Sequence, residues 1–399
     1  MSSTKNVSGW VVTIAALGIN LILGILYSWG VIKEALVQDG WSNTEASLPY
    51  TVCVALLAFV TIFGGRLQDK YGPKIIALTG GILFGSGLLL SAFAGGSVVI
   101  MTLTFGVISG LGMGFAYAAA TPCAIKWFEP RKKGLIAGIV VAGIGLSAIY
   151  IAPLTEFLLN RNGVDYTFLF LGILSLVTLI IFSLILRNPP AGYIPASDKS
   201  KPAVKESENY TWRELFGFRS FYLLWMTYLL SATAGLMLIA HIASIANVQA
   251  DWQAGFILVA VLAIFNATGR VGGGYLSDKV GRTRGLLIVF LVQALNMFLF
   301  RFYVDVPLLM FGTAVAGLAY GALFSLFPAI TADFFGMKNL GVNYGMIFTG
   351  WGIAGIVGGT MGGVIADATG SYNYSYIVAA IMLIVGAFIV KTVKPPVKS

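Results

Sequence analysis

Twelve times along this chain a run of about 20 apolar residues occurs with almost no charge inside it, close to the ~18–20 residues an α-helix needs to cross a bilayer. The runs fall at about 10–32, 47–66, 74–95, 98–122, 134–156, 165–187, 219–244, 253–276, 284–303, 306–332, 342–364 and 373–391. A backbone in hydrocarbon must satisfy its own hydrogen bonds, so open spans of this length are helices. Composition agrees: 58% of residues are hydrophobic and 10% charged, where a soluble domain carries about 25% charged residues. The expected fold class is an all-α membrane protein with twelve transmembrane helices, placed multi-pass in a cell membrane (plasma or inner).

The chain holds 25 Lys and Arg against 16 Asp and Glu. Such an excess can mark a nucleic-acid binder, but its placement argues otherwise. With the N-terminus on one side, all the basic residues except Lys33, Arg161, Arg301 and Arg270 fall on that same side. Cytoplasmic loops are the ones enriched in Lys and Arg, so both termini are expected in the cytoplasm, and no nucleic-acid partner is expected. Cys53 and Cys123 lie in separate apolar runs, which suits neither a disulfide framework nor, with His241 as the only histidine, a metal site. The Gly-rich stretches lack the spacing of a phosphate-binding loop. No cofactor, no catalytic constellation and no obligate protein partner is expected.

The longest polar segment, 188–218, is rich in Pro, Ser and Lys and divides the runs six and six. It predicts an N-terminal six-helix bundle over 1–187, a cytoplasmic linker, and a C-terminal six-helix bundle over 219–399. The linker's end, "YTWRELFGFRSF", is amphipathic and predicts a short helix on the inner membrane surface. A plain connecting role is equally open. The halves repeat each other. "GGRLQDKYGPK" at Gly64–Lys74 answers "GGYLSDKVGRTR" at Gly273–Arg284, 110–128 answers 317–335, and 134–145 answers 341–352, all in the same order. This is the signature of an internal duplication. Within the repeated phrase, Gly64, Gly65, Gly273 and Gly274 allow neighbouring helices to approach closely. Asp69 and Asp278 can accept from Lys, Arg and the amino end of a nearby helix, and so serve as a cytoplasmic gate. Setting the turn alone would be the simpler role.

The phrase resembles the signature loop of the major facilitator superfamily, G-x-x-x-D-[RK]-x-G-[RK], and stands in both places where that family carries it. The resemblance spans all twelve runs and implies a secondary transporter that works by alternating access between two bundles.

One charge stands apart. Arg270, in "LAIFNATGRVGGG", lies about two helical turns inside the eighth run from Asp278. A charge at mid-membrane costs roughly 2.5–3.5 kcal/mol on insertion scales and marks a functional candidate. Asn266 precedes it by one turn on the same face. No acid is found in the core of the eighth run, so a substrate carboxylate is the favoured partner for the guanidinium fork. Depth counting brings Tyr117, Tyr320 and Phe324 near its height as walls for a small apolar tail. Asn20 and Tyr27 share a helical face in the first run with Leu26 beside them, and Trp351 stands in the eleventh. Packing alone would also account for each of these. His241 is a proton-coupling candidate because imidazole titrates near neutral pH, although a neutral, hydrogen-bonded role is as simple.

The stretch 125–153 and "NATGRVGGGYLSDKVGR" are similar to the group of monocarboxylate carriers and oxalate/formate antiporters, which implies that Arg270 binds the substrate. Oxalate/formate antiporters carry a second cation, a lysine in span eleven, where Trp351 stands here. Animal-type monocarboxylate carriers have an aspartate where Asn266 stands here. One central cation suits one negative charge. The expected substrate is therefore a small monocarboxylate of the lactate or pyruvate type, carried with a proton in symport. An exchanger of the oxalate/formate type is the alternative.

Overall fold

The computed structural model describes residues 8–190, 192–193, 208–252, 254–369 and 371–396. Among them are helices and turns but no β-strand. Eleven helices are long and apolar enough to cross a membrane, and one of these, Pro130–Ile185, runs for 56 residues. At about 1.5 Å per residue this is more than twice a bilayer core. Gly163 divides it: with φ 75° and ψ −176° it cannot continue a helix, and only glycine tolerates that conformation readily. The described residues thus contain the twelve spans expected.

We label them α1 (Gly9–Gln38), α2 (Asn43–Tyr71), α3 (Pro73–Ser91), α4 (Val98–Ile125), α5 (133–162), α6 (164–185), α7 (Arg219–Ile239), α8 (Phe256–Val280), α9 (Arg282–Phe300), α10 (Val306–Phe335), α11 (Leu340–Thr369) and α12 (Asn373–Thr392). Most of the expected linker, 194–207 with residue 191, lies outside the described residues. Its amphipathic end forms a four-residue helix, Trp212–Leu215. Thr211 and Glu214 start it with a reciprocal cap, the Thr211 N–H donating to Glu214 Oε2 at 2.7 Å.

The chain divides into two compact units. One gathers Met1–Glu129, Ile139–Pro202 and Asn339–Gly345; the other gathers Pro130–Gly138, Ala203–Lys338 and Met346–Ser399. The division runs through α5 and α11, so each unit includes the first turns of a helix whose remainder belongs elsewhere.

The repeated phrase has the same local structure in both copies. Gly72 ends α2 at φ 89°, ψ 159°, and Gly281 ends α8 at φ 94°, ψ 151°. Each turn then starts the next helix at once. Close helix contact accounts for the phrase's other glycines. A Cβ on Gly64 would press on Ala118, one on Gly65 on the Gly341 carbonyl, one on Gly273 on Ala322, and one on Gly274 on the Gly134 carbonyl.

The α8–α10 seam is of the same kind: a Cβ on Gly321 would strike the Asn266 carbonyl oxygen, and one on Gly269 the Leu318 carbonyl oxygen. Backbone therefore lies against backbone where α8 holds its arginine. Gly272, one turn along α8, faces open space. Alanine improves helix propensity at either position by about 0.5–1 kcal/mol, so a comparison isolates packing. Gly321→Ala is expected to lower the thermal midpoint of the purified protein in detergent, and Gly272→Ala to leave it level or raise it.

Candidate functional site

Arg270 is 1% exposed, and its guanidinium presents its N–H donors in a fixed planar fork. Its surroundings must therefore replace water. Asn266, one turn earlier on α8, accepts from Arg270 Nε through Oδ1 at 2.8 Å. The guanidinium carbon lies 4.4 Å from the Phe324 ring centroid, a cation–π contact with α10.

The Phe324 ring in turn meets Tyr320 edge-on at 5.4 Å and Trp351 of α11 at 5.8 Å. Trp351 Nε1 donates to Tyr320 Oη at 2.8 Å, and the indole stacks on Phe348 at 4.8 Å. Tyr228 of α7 is fully buried, stacked on Phe327 at 3.8 Å and 6.2 Å from Phe348. The guanidinium is thus tied to the Asn266 amide and stacked on Phe324, behind which stand the rings of Tyr320 and Trp351. Such a site suits a carboxylate head, met by a planar two-pronged donor, with a short apolar tail.

The structure brings Arg270, Asn266, Tyr320 and Phe324 together within the second unit, and adds Trp351 as a direct partner of Tyr320. Phe348 and Tyr228 escaped the sequence analysis; Phe348 carries a signal only in retrospect, one turn before Trp351 on the same face. His241 is in the same unit but at the far end of α7. Its ring lies 5.5 Å from Tyr372 and against the bare backbone of Gly362 and Gly363.

The remaining candidates are in the first unit. Tyr117 is 2% exposed, and its hydroxyl lies 3.3 Å from that of Tyr344, in the α11 segment belonging to this unit. Asn20 is fully buried; its Nδ2 donates to the Ala16 carbonyl at 3.1 Å, and its Oδ1 finds no partner among the described residues. Tyr27 and Leu26 fall in Gly24–Ser28, a 3₁₀-helical stretch that turns about 120° per residue in place of about 100°; Tyr27 stands 46% exposed and Leu26 is half-buried, where Asn20 is fully buried.

Both aspartates of the repeated phrase cap helices. Asp278 accepts from the N–H groups of Gly134 (2.9 Å) and Leu135 (2.7 Å), in the first turn of α5, and pairs with Arg282. Arg282 Nε also donates to Asp333 Oδ2 at 2.7 Å, and Lys133 Nζ to Asp333 Oδ1 at 2.9 Å. Asp69 accepts from the Val342 N–H in the first turn of α11 (3.1 Å), from Lys126 Nζ (3.1 Å) and from Gln68 Nε2 (2.6 Å). A helix amino end offers unpaired N–H groups and partial positive charge, so a carboxylate is the natural cap.

The model of the Major Facilitator Superfamily matches this sequence over residues 9–300 and 253–399. The chain belongs to that superfamily. Among its relatives, the uncharacterized MFS-type transporter YhjX of Escherichia coli is 28% identical over 352 residues, covering 87% of this chain and 86% of YhjX. The oxalate:formate antiporter of Oxalobacter formigenes is 27% identical over 396 residues, covering 96% and 92%. Monocarboxylate transporter 13 of Bos taurus is 27% identical over 390 residues, covering 96% and 89%. The fold is shared with the E. coli fucose:proton symporter FucP at a TM-score of 0.74 and 14% identity, over 97% of this chain and 100% of that one. As a superfamily transporter, it is a multi-pass membrane protein.

In this facilitator the two caps are alike: Asp278 serves the backbone amides of Gly134 and Leu135 and pairs with Arg282, and Asp69 serves those of Gly341 and Val342 and pairs with Lys126. Asp278→Ala is expected to cost about 1.5–3 kcal/mol, the range for hydrogen bonds to a charged group, and Asp278→Asn part of that. Thermal midpoints of the purified variants check the order.

Proposed function

We propose that this facilitator carries small monocarboxylates of the lactate or pyruvate type across the membrane together with a proton, by alternating access, and leaves its substrate chemically unchanged. The observation that carries the reading is Arg270, buried to 1% exposure, held through Nε by Asn266 and stacked on Phe324. Burying a cation costs several kcal/mol, and a carboxylate bound there recovers much of that through charge-assisted hydrogen bonds. In this proposal Arg270 binds the carboxylate, Asn266 orients the guanidinium, and Tyr320, Phe324 and Trp351 enclose the tail. Similarity over nearly the full chain to a monocarboxylate transporter and an oxalate:formate antiporter supports an anionic substrate.

One central cation favours a single negative charge over two. An anion moving inward alone would oppose a negative-inside potential by roughly 2.3 kcal/mol per 100 mV, so a proton moving with it removes the penalty. In this proposal the proton travels with the substrate. We place both termini in the cytoplasm from the distribution of basic residues. On that side, Asp69 and Asp278 act as the gate, because the helix ends they cap must be released for the transporter to reorient.

Uptake of labelled lactate into proteoliposomes, with and without an inward proton gradient, tests the proposal. Wild type is expected to accumulate lactate only with the gradient, Arg270→Ala to lose uptake, and His241→Gln to retain it. Fast exchange against internal lactate with no gradient effect would favour the exchanger. Absence of lactate movement would sink the substrate class.

A further inference from the structure

The far end of α9 carries a cation whose charge no described residue answers. α9 runs 19 residues from Arg282 to Phe300, about 28 Å at 1.5 Å per residue, which is close to the hydrocarbon thickness of a bilayer. Arg301 follows it directly. It therefore stands where acyl chains give way to headgroups, at the face opposite the Asp278 turn. Along the helix, Ile288, Leu291, Leu295 and Phe298 are exposed at spacings of three and four residues, one continuous apolar face. In a membrane-spanning helix such a face meets acyl chains, and the exposed ring of Phe302 extends it past the helix end.

Arg301 sits in a corner of that face. Its guanidinium carbon lies 4.7 Å from the Phe298 ring centroid and 4.4 Å from that of Phe302, and the two rings stand edge to face at 6.5 Å. Cation–π contact holds the group in place but uses none of its N–H donors. Nε is shut off from solvent and finds no partner among the described residues. A donor in that condition is costly unless something comes to meet it. Two other uses for an arginine at this place are already met. The carbonyls at the end of α9 are served by Gln249, whose Nε2 donates to those of Phe300 at 2.6 Å and Tyr303 at 2.7 Å. The nearest acid in sequence, Asp305, accepts from the Leu308 N–H at 2.9 Å and caps α10. Arg301 makes no ion pair among the described residues.

We propose that Arg301, Phe298 and Phe302 form a binding site for the phosphate of an anionic phospholipid, with the guanidinium on the phosphodiester and an acyl chain along Leu295 and Phe298. A planar fork of donors matches a phosphate, and the apolar face below it matches the chain. A free phosphate shares the head chemistry but leaves that face uncovered. The site lies within the second unit and does not depend on what Arg270 binds.

The test is titration of the purified protein in neutral detergent with dioleoylphosphatidylglycerol, the Kd of the tightest bound lipid being read by native mass spectrometry. Wild type is compared with Arg301→Gln, Arg301→Lys and Phe302→Leu. Lys391→Gln is the control at the other face, where the lysine lies over one exposed ring, Phe388, at 5.7 Å. Arg301→Gln is expected to weaken binding at least about tenfold, the scale of hydrogen bonds to a charged group. Arg301→Lys, which keeps the charge without the fork, should lose less, Phe302→Leu should also bind more weakly, and Lys391→Gln should match wild type. If Arg301→Gln cannot be purified, Arg301→Lys and Phe302→Leu decide. Wild-type affinity in Arg301→Lys, or equal losses in Arg301→Gln and Lys391→Gln, would reduce the effect to surface charge and overturn the inference. Inorganic phosphate in large excess is expected to leave the Kd unchanged; displacement of the lipid by it would assign the site to the free ion and overturn the lipid as its occupant.

Discussion

A permanent positive charge buried among apolar helices is the constraint on which the rest of this structure depends. At 1% exposure Arg270 is shut away from solvent. Its neighbours follow from that. Asn266 supplies an amide oxygen one turn away, the distance at which side chains on a helix meet. Phe324 supplies a π-face, and its own ring is braced by Tyr320 and Trp351. The glycines of the α8–α10 seam bring Phe324 within reach, because a wider spacing between the two backbones would draw ring and guanidinium apart. Charge, rings and glycines are one arrangement.

The repeated phrase serves a different purpose with equally few parts. A glycine at positive φ ends the helix, small residues admit a neighbouring backbone, and an aspartate takes up the amino end of a third helix. These caps join segments distant in sequence, Asp278 to Gly134 and Leu135, and Asp69 to Val342. That is why the unit boundaries cut through α5 and α11. In the second copy Arg282 also pairs with Asp333, which in turn pairs with Lys133.

The twelve spans were legible because bilayer thickness imposes a length that apolar runs must meet, and the break at Gly163 falls between the fifth and sixth runs. The contact between Arg270 and Asn266 was legible because helical spacing alone places them together. The 3₁₀ stretch at Gly24–Ser28, which holds Leu26 and Tyr27, was not legible because it has no charge, proline or periodicity to announce it. The Trp351–Tyr320 hydrogen bond joins residues on two helices, and no spacing rule within one helix reaches it. Likewise, Asp333 could be located at the end of its span, but its pairing with Arg282 and Lys133 depends on how three chain segments meet.

The central claim is that the buried guanidinium is a carboxylate site. Equilibrium binding of labelled lactate to the purified protein tests it directly, with wild type, Arg270→Lys and Arg270→Gln compared at matched thermal midpoints. Saturable binding to wild type that weakens by at least about tenfold in Arg270→Gln, with Arg270→Lys between the two, is predicted from the ~1.5–3 kcal/mol carried by hydrogen bonds to a charged group. Lactate binding to Arg270→Gln with wild-type affinity would contradict it.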